Sequence, residues 1–356
     1  MNIGIVSLWW NRGQATVSRY IRTIFEALGH RTFVLAKPTP QTGLRPRFID
    51  TTGVWAQEQV TYASNFLIPQ TEYETWAKDH ALDVVFFDEN KQLHEIACLR
   101  SAGIKTIGRF VWEKFKEEHV SPAKEAFSII YSLTHCEQAR YHTLGIDSPK
   151  IQWGCHPELL AVVPQKFQDG IYFFFPGSFQ GPRKPLQCVV EVFQRVTHPH
   201  IRLIIKAQGF RDNTEPIAIE GDPRITRMVD DLPQQEYNQL FSACHVCLAP
   251  ARWEGLGLHL YEAVAFGMPI ITNDAPPMNE VVSDQANGLL VRSHQIGNTP
   301  SGIPSYDPDI DQLAAAIEQL SDMSVITRMS QHTLQRRAED FSWDQTTAQY
   351  EQLLTL

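Results

Sequence analysis

The chain has 356 residues, 43% of them hydrophobic and 20% charged, which is enough for two globular domains with ordinary apolar cores. Its net charge is −9: residues 1–165 hold 17 basic and 17 acidic residues, whereas residues 166–356 hold 14 and 23. An acidic half without a basic stripe argues against nucleic acid as a partner, and no apolar run approaches the roughly 20 residues of a transmembrane helix.

The first half of the chain alternates apolar runs with amphipathic stretches. The N-terminus lacks the basic start of a signal peptide, so it predicts a buried strand and a cytoplasmic protein. The section 36–70 has several Pro and Gly residues and predicts an irregular excursion. The predicted strands are Ile3–Leu8, Thr32–Leu35, Asp83–Phe87 and Lys105–Arg109, and the predicted helices are Ser18–Leu28, His94–Ala102 and Glu137–Leu144.

A second alternating series begins near Gly170. Two such series predict an α/β fold of two doubly wound domains joined near residues 155–170. The segment 292–308 is rich in Gly, Pro, Ser and Asn and predicts an exposed loop. The predicted strands are Ile171–Phe175, Ile201–Lys206, Val246–Ala249 and Ile270–Thr272, and the predicted helices are Pro185–Val196, Gln234–Ala243, Gly257–Phe266, Asp309–Met323 and Trp343–Leu354.

Two motifs resemble metal sites. Cys244 and Cys247 have C-x-x-C spacing, but there is no second matching pair and the surrounding run is apolar, so we interpret them as structural. Asp307, Asp309 and Asp311 give two D-x-D spacings that open an amphipathic stretch, where aspartates are expected as helix caps. We therefore predict no metal site.

The segment 252–263 is the most informative. It sets Glu254 and Glu262 eight residues apart around a glycine-containing turn that follows a strand and runs into a helix, on nearly one helical face. The start of such a helix attracts phosphate. Two carboxylates beside it suit a ligand with phosphate in the middle and hydroxyl groups at both ends.

This segment resembles the E-x7-E motif of retaining glycosyltransferases with the GT-B fold, family four in particular. The match runs from Glu254 to Ile271. The resemblance extends to Ile151–Pro157, which is similar to the family's junction between domains, and to Phe341–Trp343, which is similar to the start of its C-terminal helix. It implies an acceptor-binding domain (1–165), a nucleotide-sugar-binding domain (166–340) and a helix (341–356) that packs back on the first domain.

The resemblance also implies roles for the carboxylates and their neighbours. Glu262 would accept hydrogen bonds from ribose hydroxyls, and Glu254 would hold the transferred sugar near its anomeric carbon. Backbone N–H groups would contact sugar and diphosphate. The residues that supply them are Gly255, Leu256, Gly257 and Leu258.

A glycine loop would bind the donor diphosphate. In the family's sequence motif a Gly is followed by an Arg and, further on, by a Lys. Lys184 matches the Lys, Ser178 stands after Gly177 where the Arg is expected, and Arg183 is the candidate replacement. These cations and the helix amides would offset phosphate charge without a metal, so we expect no cofactor beyond the nucleotide-sugar co-substrate.

Other candidates lie in the first domain. Arg12 and Gly13 fall in the loop that faces phosphate or acceptor in the family. The histidine common near the donor sugar is absent, and Glu113 or Arg109 is the candidate in its place. The strand-end cluster Asp88–Asn90 is a candidate for acceptor contact.

The leading hypothesis is a metal-independent retaining glycosyltransferase that moves a sugar from a nucleotide-diphosphate sugar to the hydroxyl of a carbohydrate or another acceptor. One alternative is a degenerate GT-B module that binds a nucleotide-sugar without transfer, favoured by Ser178, the absent histidine and the single-glycine loop. The other is a GT-B nucleotide-sugar epimerase.

Overall fold

The structure is a computed structural model that describes residues 1–41, 47–178, 181–208 and 221–356, with only the backbone of Ser178. It divides the chain into two compact units. Unit 1 comprises Met1–Gln152 and Thr346–Leu356, and unit 2 comprises Trp153–Gln345. These divisions lie after residues 152 and 345, whereas the predicted domain boundaries lie after residues 165 and 340.

Unit 1 contains one parallel sheet. Its described strands are β1 (Asn2–Leu8), β2 (Arg31–Lys37), β3 (Val60–Tyr62), β4 (Val84–Asp88), β5 (Lys105–Arg109) and β6 (Ile129–Ile130). Its helices include α1 (Gly13–Ala27), α2 (Gln70–Asp79), α3 (Leu93–Ser101), α4 (Val120–Ala126) and α5 (His135–Thr143), with short 3-10 helices at Gly53–Trp55, Trp112–Lys114 and Glu117–His119.

The strand order in unit 1 is β3-β2-β1-β4-β5-β6, and every pairing is parallel. The order reverses between β1 and β4, which makes the sheet doubly wound. Helix α1 forms because its apolar residues recur at helical spacing, and it buries Val17, Ile21 and Phe25, among others. On one side of the sheet an apolar core includes Val6, Leu35 and Phe87.

Unit 2 contains a second parallel sheet and a hairpin. Its described strands are β7 (Ile171–Ser178), β8 (Ile201–Ala207), β9 (Ile225–Val229), β10 (Val246–Leu248), β11 (Ile270–Asn273), β12 (Gly288–Val291), β13 (Ser293–Asn298) and β14 (Pro304–Pro308). Its helices include α6 (Pro157–Leu160), α7 (Leu186–Arg195), α8 (Gln234–Ala243), α9 (Leu258–Ala265), α10 (Met278–Val281), α11 (Ile310–Gln319) and α12 (Met323–Glu339); α13 (Trp343–Thr355) begins in unit 2 and ends in unit 1.

The strand order in unit 2 is β12-β11-β10-β7-β8-β9, again parallel throughout. The order reverses between β7 and β10, so this sheet is also doubly wound. The predicted α/β class with two such sheets is confirmed. Within the described ranges, none of the helices is both long and apolar enough to cross a membrane.

Three local predictions were wrong. The predicted loop 292–308 contains the antiparallel hairpin β13-β14, whose mostly exposed, polar strands lack the apolar alternation that identifies a strand. The excursion 36–70 contains the edge strand β3. Helix α1 begins at Gly13 rather than at Ser18. The residue before it, Arg12, forms no side-chain cap, so no capping residue marks this helix start in the sequence.

Candidate active site

The candidate site lies at the carboxyl ends of β7 and β10, the neighbouring strands at which the order of the unit 2 sheet reverses. Ligands of open α/β sheets bind in the crevice at such a reversal. The chain that follows β7 carries Arg183 and Lys184, and the chain that follows β10 carries Glu254. The topology therefore brings three predicted site residues to one place.

Glu254 is at the centre of a buried charged cluster. Lys184 Nζ donates to Glu254 Oε1 at 2.6 Å, and both side chains are at least 95% buried. Arg183 Nη1 lies 3.6 Å from Glu254 Oε2, with its guanidinium about one-third exposed. The sequence prediction placed Glu254 at the mouth of the turn before a helix that starts at Gly257, and the structure places it in the loop before α9.

The electrostatics of the cluster favour an ionised Glu254. Burial alone would raise the pKa of this carboxyl, but the charges of Arg183 and Lys184 outweigh it and lower the pKa to about 2. Burial lowers the pKa of Lys184, and the charge of Glu254 opposes that effect. With Lys184 protonated, two cations face one carboxylate, so the cluster has a surplus positive charge for an anionic ligand.

His259 belongs to the same cluster, and sequence reasoning missed it. Its Nε2 lies 3.5 Å from Lys184 Nζ and 3.9 Å from Glu254 Oε1. Burial and the charge of Lys184 lower the pKa of His259 to about 3, so the imidazole is neutral at physiological pH. The only signal in the sequence was a polar residue in an otherwise apolar helix start, five positions after Glu254.

Arg252 joins the two loops that carry the cluster. Its backbone N–H donates to the Arg183 carbonyl at 2.8 Å, and its Nη1 donates to the Pro182 carbonyl at 2.7 Å. Its Nε donates to Asp307 Oδ1 at 2.6 Å. Asp307 of the D-x-D motif therefore has a structural partner. The bonds of Arg252 to Pro182 and Arg183 hold the loop before Lys184 against the loop before Glu254.

The turn between Glu254 and α9 depends on Gly257. Its φ is +75°, in the left-handed region that favours glycine, and it precedes the first helical residue, Leu258. Gly255, Leu256 and Gly257 are all buried. This turn brings backbone N–H groups and the positive end of α9 close to Glu254, as an anion-binding corner requires.

Glu262 lies further along α9, and it is half-buried. Tyr237 Oη donates to Glu262 Oε2 at 3.3 Å, and burial raises the pKa of Glu262 to about 7. The two glutamates therefore differ: Glu254 is surrounded by cations, whereas Glu262 has a neutral phenol as its partner. Sequence reasoning did not identify Tyr237, which lies 25 residues before Glu262 on α8.

Gly177 and Ser178 end β7. A Cβ atom on Gly177 would lie 3.3 Å from the Lys206 carbonyl oxygen, so the glycine allows β7 and β8 to approach closely. The side chain of Ser178 lies outside the described part of the chain.

The remaining predicted residues belong to unit 1. Arg12 precedes α1, and its guanidinium lies 3.6 Å from the centre of the Trp10 ring. Gly13 is the first residue of α1. Glu113 is half-buried in the 3-10 helix Trp112–Lys114. These three residues therefore lie in a different unit from the cluster around Glu254.

Arg109 is not an accessible binding residue. Its side chain is 2% exposed, and it forms ion pairs of 3.2 Å with both Asp88 and Glu137, which are also buried. The sequence hypothesis that Arg109 contacts a ligand is therefore wrong. Asp88 of the strand-end cluster is committed to the same ion pairs.

The metal-like motifs have ordinary roles in the described structure. Cys244 and Cys247 are buried free thiols, and the Asp309 side chain caps α11 by accepting from the Gln312 N–H at 2.9 Å. Within the described ranges no three His, Cys, Asp or Glu side chains group together as a metal site would require.

Comparison with known proteins finds similarity to one sequence family in the second half of the chain. Residues 170–322 match the family model described as glycosyl transferases group 1. The D-inositol 3-phosphate glycosyltransferase of Corynebacterium aurimucosum is 26% identical over 182 residues, which are 49% of this chain and 40% of that protein. The chain thus matches less than half the length of this curated relative.

Solved structures resemble the whole chain. Sucrose-phosphate synthase from Thermosynechococcus elongatus has a TM-score of 0.75 at 16% identity and covers 100% of this chain and 98% of its own. Anabaena HepE in complex with UDP-glucose has a TM-score of 0.73 at 13% identity, with full coverage of both chains. At these identities the likeness establishes the fold.

Proposed function

We propose that the chain transfers a sugar from a nucleotide-diphosphate sugar to an acceptor hydroxyl, from the premise that it has the GT-B fold and that its residues 170–322 match the glycosyl transferases group 1 family model. The observation that supports this most strongly is the buried cluster of Lys184, Glu254 and Arg183 at the strand-order reversal of unit 2. Its surplus positive charge suits a diphosphate, and its carboxylate suits a sugar hydroxyl.

The proposed step is a displacement with retention. The bond between the anomeric carbon and the diphosphate oxygen breaks, and a bond to the acceptor oxygen forms on the same face of the sugar. The acceptor proton passes to the departing diphosphate, so no protein base is required. Lys184 and Arg183 would stabilise the negative charge that grows on the leaving group, which is the kind of electrostatic stabilisation that dominates many enzymes.

Each carboxylate has a distinct proposed role. Glu254 stays ionised because of the neighbouring cations, so it can accept from sugar hydroxyls and stabilise positive charge at the anomeric carbon. Glu262 would accept from the ribose hydroxyls next to Tyr237. The turn Gly255–Leu258 would supply N–H donors to the diphosphate, and the acceptor is proposed to bind unit 1.

A metal ion is not required in this proposal. The phosphate charge would be offset by Lys184, Arg183 and the amides at the start of α9. Because HepE was crystallised with UDP-glucose, a UDP-sugar is the first donor to test. A nucleotide-sugar is the only co-substrate proposed, with no resident cofactor.

The test has two stages. UDP-, GDP- and ADP-sugars are first compared for protection against thermal unfolding, since a ligand at 100 times its Kd adds about 2.7 kcal/mol. The donor that protects is then incubated with EDTA and a panel of sugar acceptors, and the anomeric configuration of the product is read by NMR. Retention in EDTA is expected. Protection without transfer across the panel would instead favour a binding module, and an epimerised donor without acceptor would favour an epimerase.

A further inference from the structure

Lys37 is a buried cation of unit 1 that has no carboxylate partner among the described residues. It is the last residue of β2 and only 5% exposed. Among the described residues none places a carboxylate oxygen within ion-pair distance of its ammonium, and the contact it makes is with the Phe66 ring, whose centre lies 4.6 Å from Nζ. Burying an ammonium without an anionic partner is costly, so such a group is unusual unless a ligand supplies the partner.

The position of Lys37 is that of a ligand-binding residue. Lys37 pairs in register with Leu8 at the end of β1, which is next to the strand-order reversal between β1 and β4. Successive side chains of a strand alternate between the faces of a sheet. Since Leu35 and Val6 are in register, Lys37 and Leu8, each two residues further on, share one face at the carboxyl edge.

The nearest carboxylates do not neutralise Lys37. Glu89 has a strained backbone with φ +52°, and its Oε2 accepts from the Val111 N–H at 2.7 Å. Its other oxygen lies 4.0 Å from Lys91 Nζ. Glu89 and Glu95 raise the pKa of Lys37 from a distance, but burial outweighs them and lowers it to about 8, which leaves the ammonium mostly protonated at pH 7.

The surroundings of the ammonium are fixed and partly aromatic. Gln92 holds the segment beside Phe66 by accepting from the Ile68 N–H at 2.9 Å and donating to the Ile68 carbonyl at 2.7 Å. Phe66 is half-buried, so part of its ring is accessible. A flat apolar face beside a cation suits a sugar ring that bears an anionic substituent.

We propose that Lys37 and Phe66 form a subsite of unit 1 for the anionic substituent of the acceptor, which makes the acceptor a sugar that carries a phosphate or carboxylate group. Only the assignment of this anion to the acceptor rests on the proposed transfer function. The anion-binding property of Lys37 is independent of it.

The test measures inorganic phosphate binding to the full chain by calorimetry, with UDP present at saturation to occupy unit 2. Native protein is expected to bind phosphate, and Lys37→Met to weaken that affinity at least tenfold. Lys78→Met removes an exposed lysine of the same unit and is the matched control, with no change expected. Because Met replaces an unpaired charge with an apolar chain, the melting temperature of Lys37→Met should equal or exceed that of the native protein.

Glucose 6-phosphate and glucose identify the source of the anion. Glucose 6-phosphate is expected to bind more tightly than phosphate, and glucose alone to bind weakly. Equal phosphate affinity in native and Lys37→Met protein, or a large loss of stability in that variant, would overturn the subsite. Glucose 6-phosphate binding no tighter than phosphate would overturn the acceptor assignment. Failure of UDP, GDP and ADP all to bind the native chain would instead contradict the proposed function.

Discussion

Lys184 Nζ lies 2.6 Å from Glu254 Oε1, across 70 residues of sequence, and both groups are almost fully removed from water. The pair joins the loop after β7 directly to the loop after β10. A donor that places its diphosphate on Lys184 and its sugar on Glu254 would have to enter between them or replace part of their contact. The groups that are proposed to bind substrate therefore also stabilise one another.

Removal of one partner of this pair should cost stability as well as activity. In Lys184→Met the buried Glu254 loses its shortest ion pair but keeps Arg183 and His259 beside it, and we expect unfolding to become easier by about 3 kcal/mol. Turnover should fall at least 100-fold, because a charge that stabilises the leaving diphosphate is lost. Urea unfolding and single-donor kinetics measure the two effects.

The double variant Lys184→Met/Glu254→Gln separates the loss of stability from the loss of turnover. With both charges removed, much of the lost stability should return while turnover stays low. A double variant as unstable as Lys184→Met would show that ion pairing is not the source of the stability. Turnover within threefold of native in Lys184→Met, or in Glu254→Gln alone, would remove that residue from the proposed mechanism.

His259 is expected to position Lys184. Its neutral imidazole lies 3.5 Å from the ammonium, so a side chain with an acceptor oxygen should substitute for it better than an apolar one. We expect His259→Leu to lower kcat about tenfold with little change in the KM of the donor, and His259→Asn to restore most of the loss. Steady-state kinetics of both variants provide the measurement.

The matched control for His259 is His332→Leu, which alters an exposed histidine of the same unit on α12. It should leave kcat and KM unchanged. Because the pKa of His259 is about 3, the native pH profile between pH 5 and 9 should contain no step from this residue. A step that disappears in His259→Asn would contradict a neutral imidazole.

Glu262 should make nucleotide binding depend on pH. Its pKa is raised to about 7 by burial, so the carboxylate that is proposed to accept from ribose becomes protonated as pH falls from 8 to 6. We expect UDP affinity to fall over this range by up to about tenfold per pH unit below the pKa. Glu262→Gln should bind UDP weakly with a flatter pH dependence, as measured by calorimetry.

Glu262→Gln should bind UDP more weakly than native protein but should be more stable towards unfolding. A raised pKa in the folded state means that the contribution of Glu262 is fully present below its unfolded pKa and is lost as pH rises through 7. The variant should therefore be more stable than native protein at pH 8, by on the order of 2 kcal/mol, and the gain should shrink at pH 5. If native protein and Glu262→Gln were equally stable at pH 8 and also at pH 5, Glu262 would not be desolvated.

The sequence predicted the strongly patterned elements and much of the candidate site. Runs such as Val84–Phe87 are fully buried and apolar, so their strands were evident, whereas β9 (Ile225–Val229) has exposed and half-buried residues and was not predicted. The motif around Glu254 and Glu262 identified the donor loop. The contact of Lys184 with His259 depends on how β7 and β10 pair, which no local pattern encodes.

The buried acid cluster of unit 1 should also titrate. Asp88 and Glu137 share one guanidinium, that of Arg109, and each carboxylate has one oxygen that lacks a hydrogen-bond partner in the described structure. Burial outweighs the charge of Arg109 and raises the pKa of Asp88 to about 7. Its contribution to stability is thus fully present below its unfolded pKa and lost as pH rises through 7.

We therefore expect Asp88→Asn to be more stable than native protein at pH 8, because the remaining Glu137 then balances Arg109 one to one. The gain should be on the order of 2 kcal/mol and should shrink at pH 5, where native Asp88 is itself protonated. Urea unfolding at both pH values measures it, and Asp79→Asn, at an exposed position of the same unit, is the control. A destabilised Asp88→Asn at pH 8 would mean that the ion pair with Arg109 outweighs the cost of burying a second carboxylate.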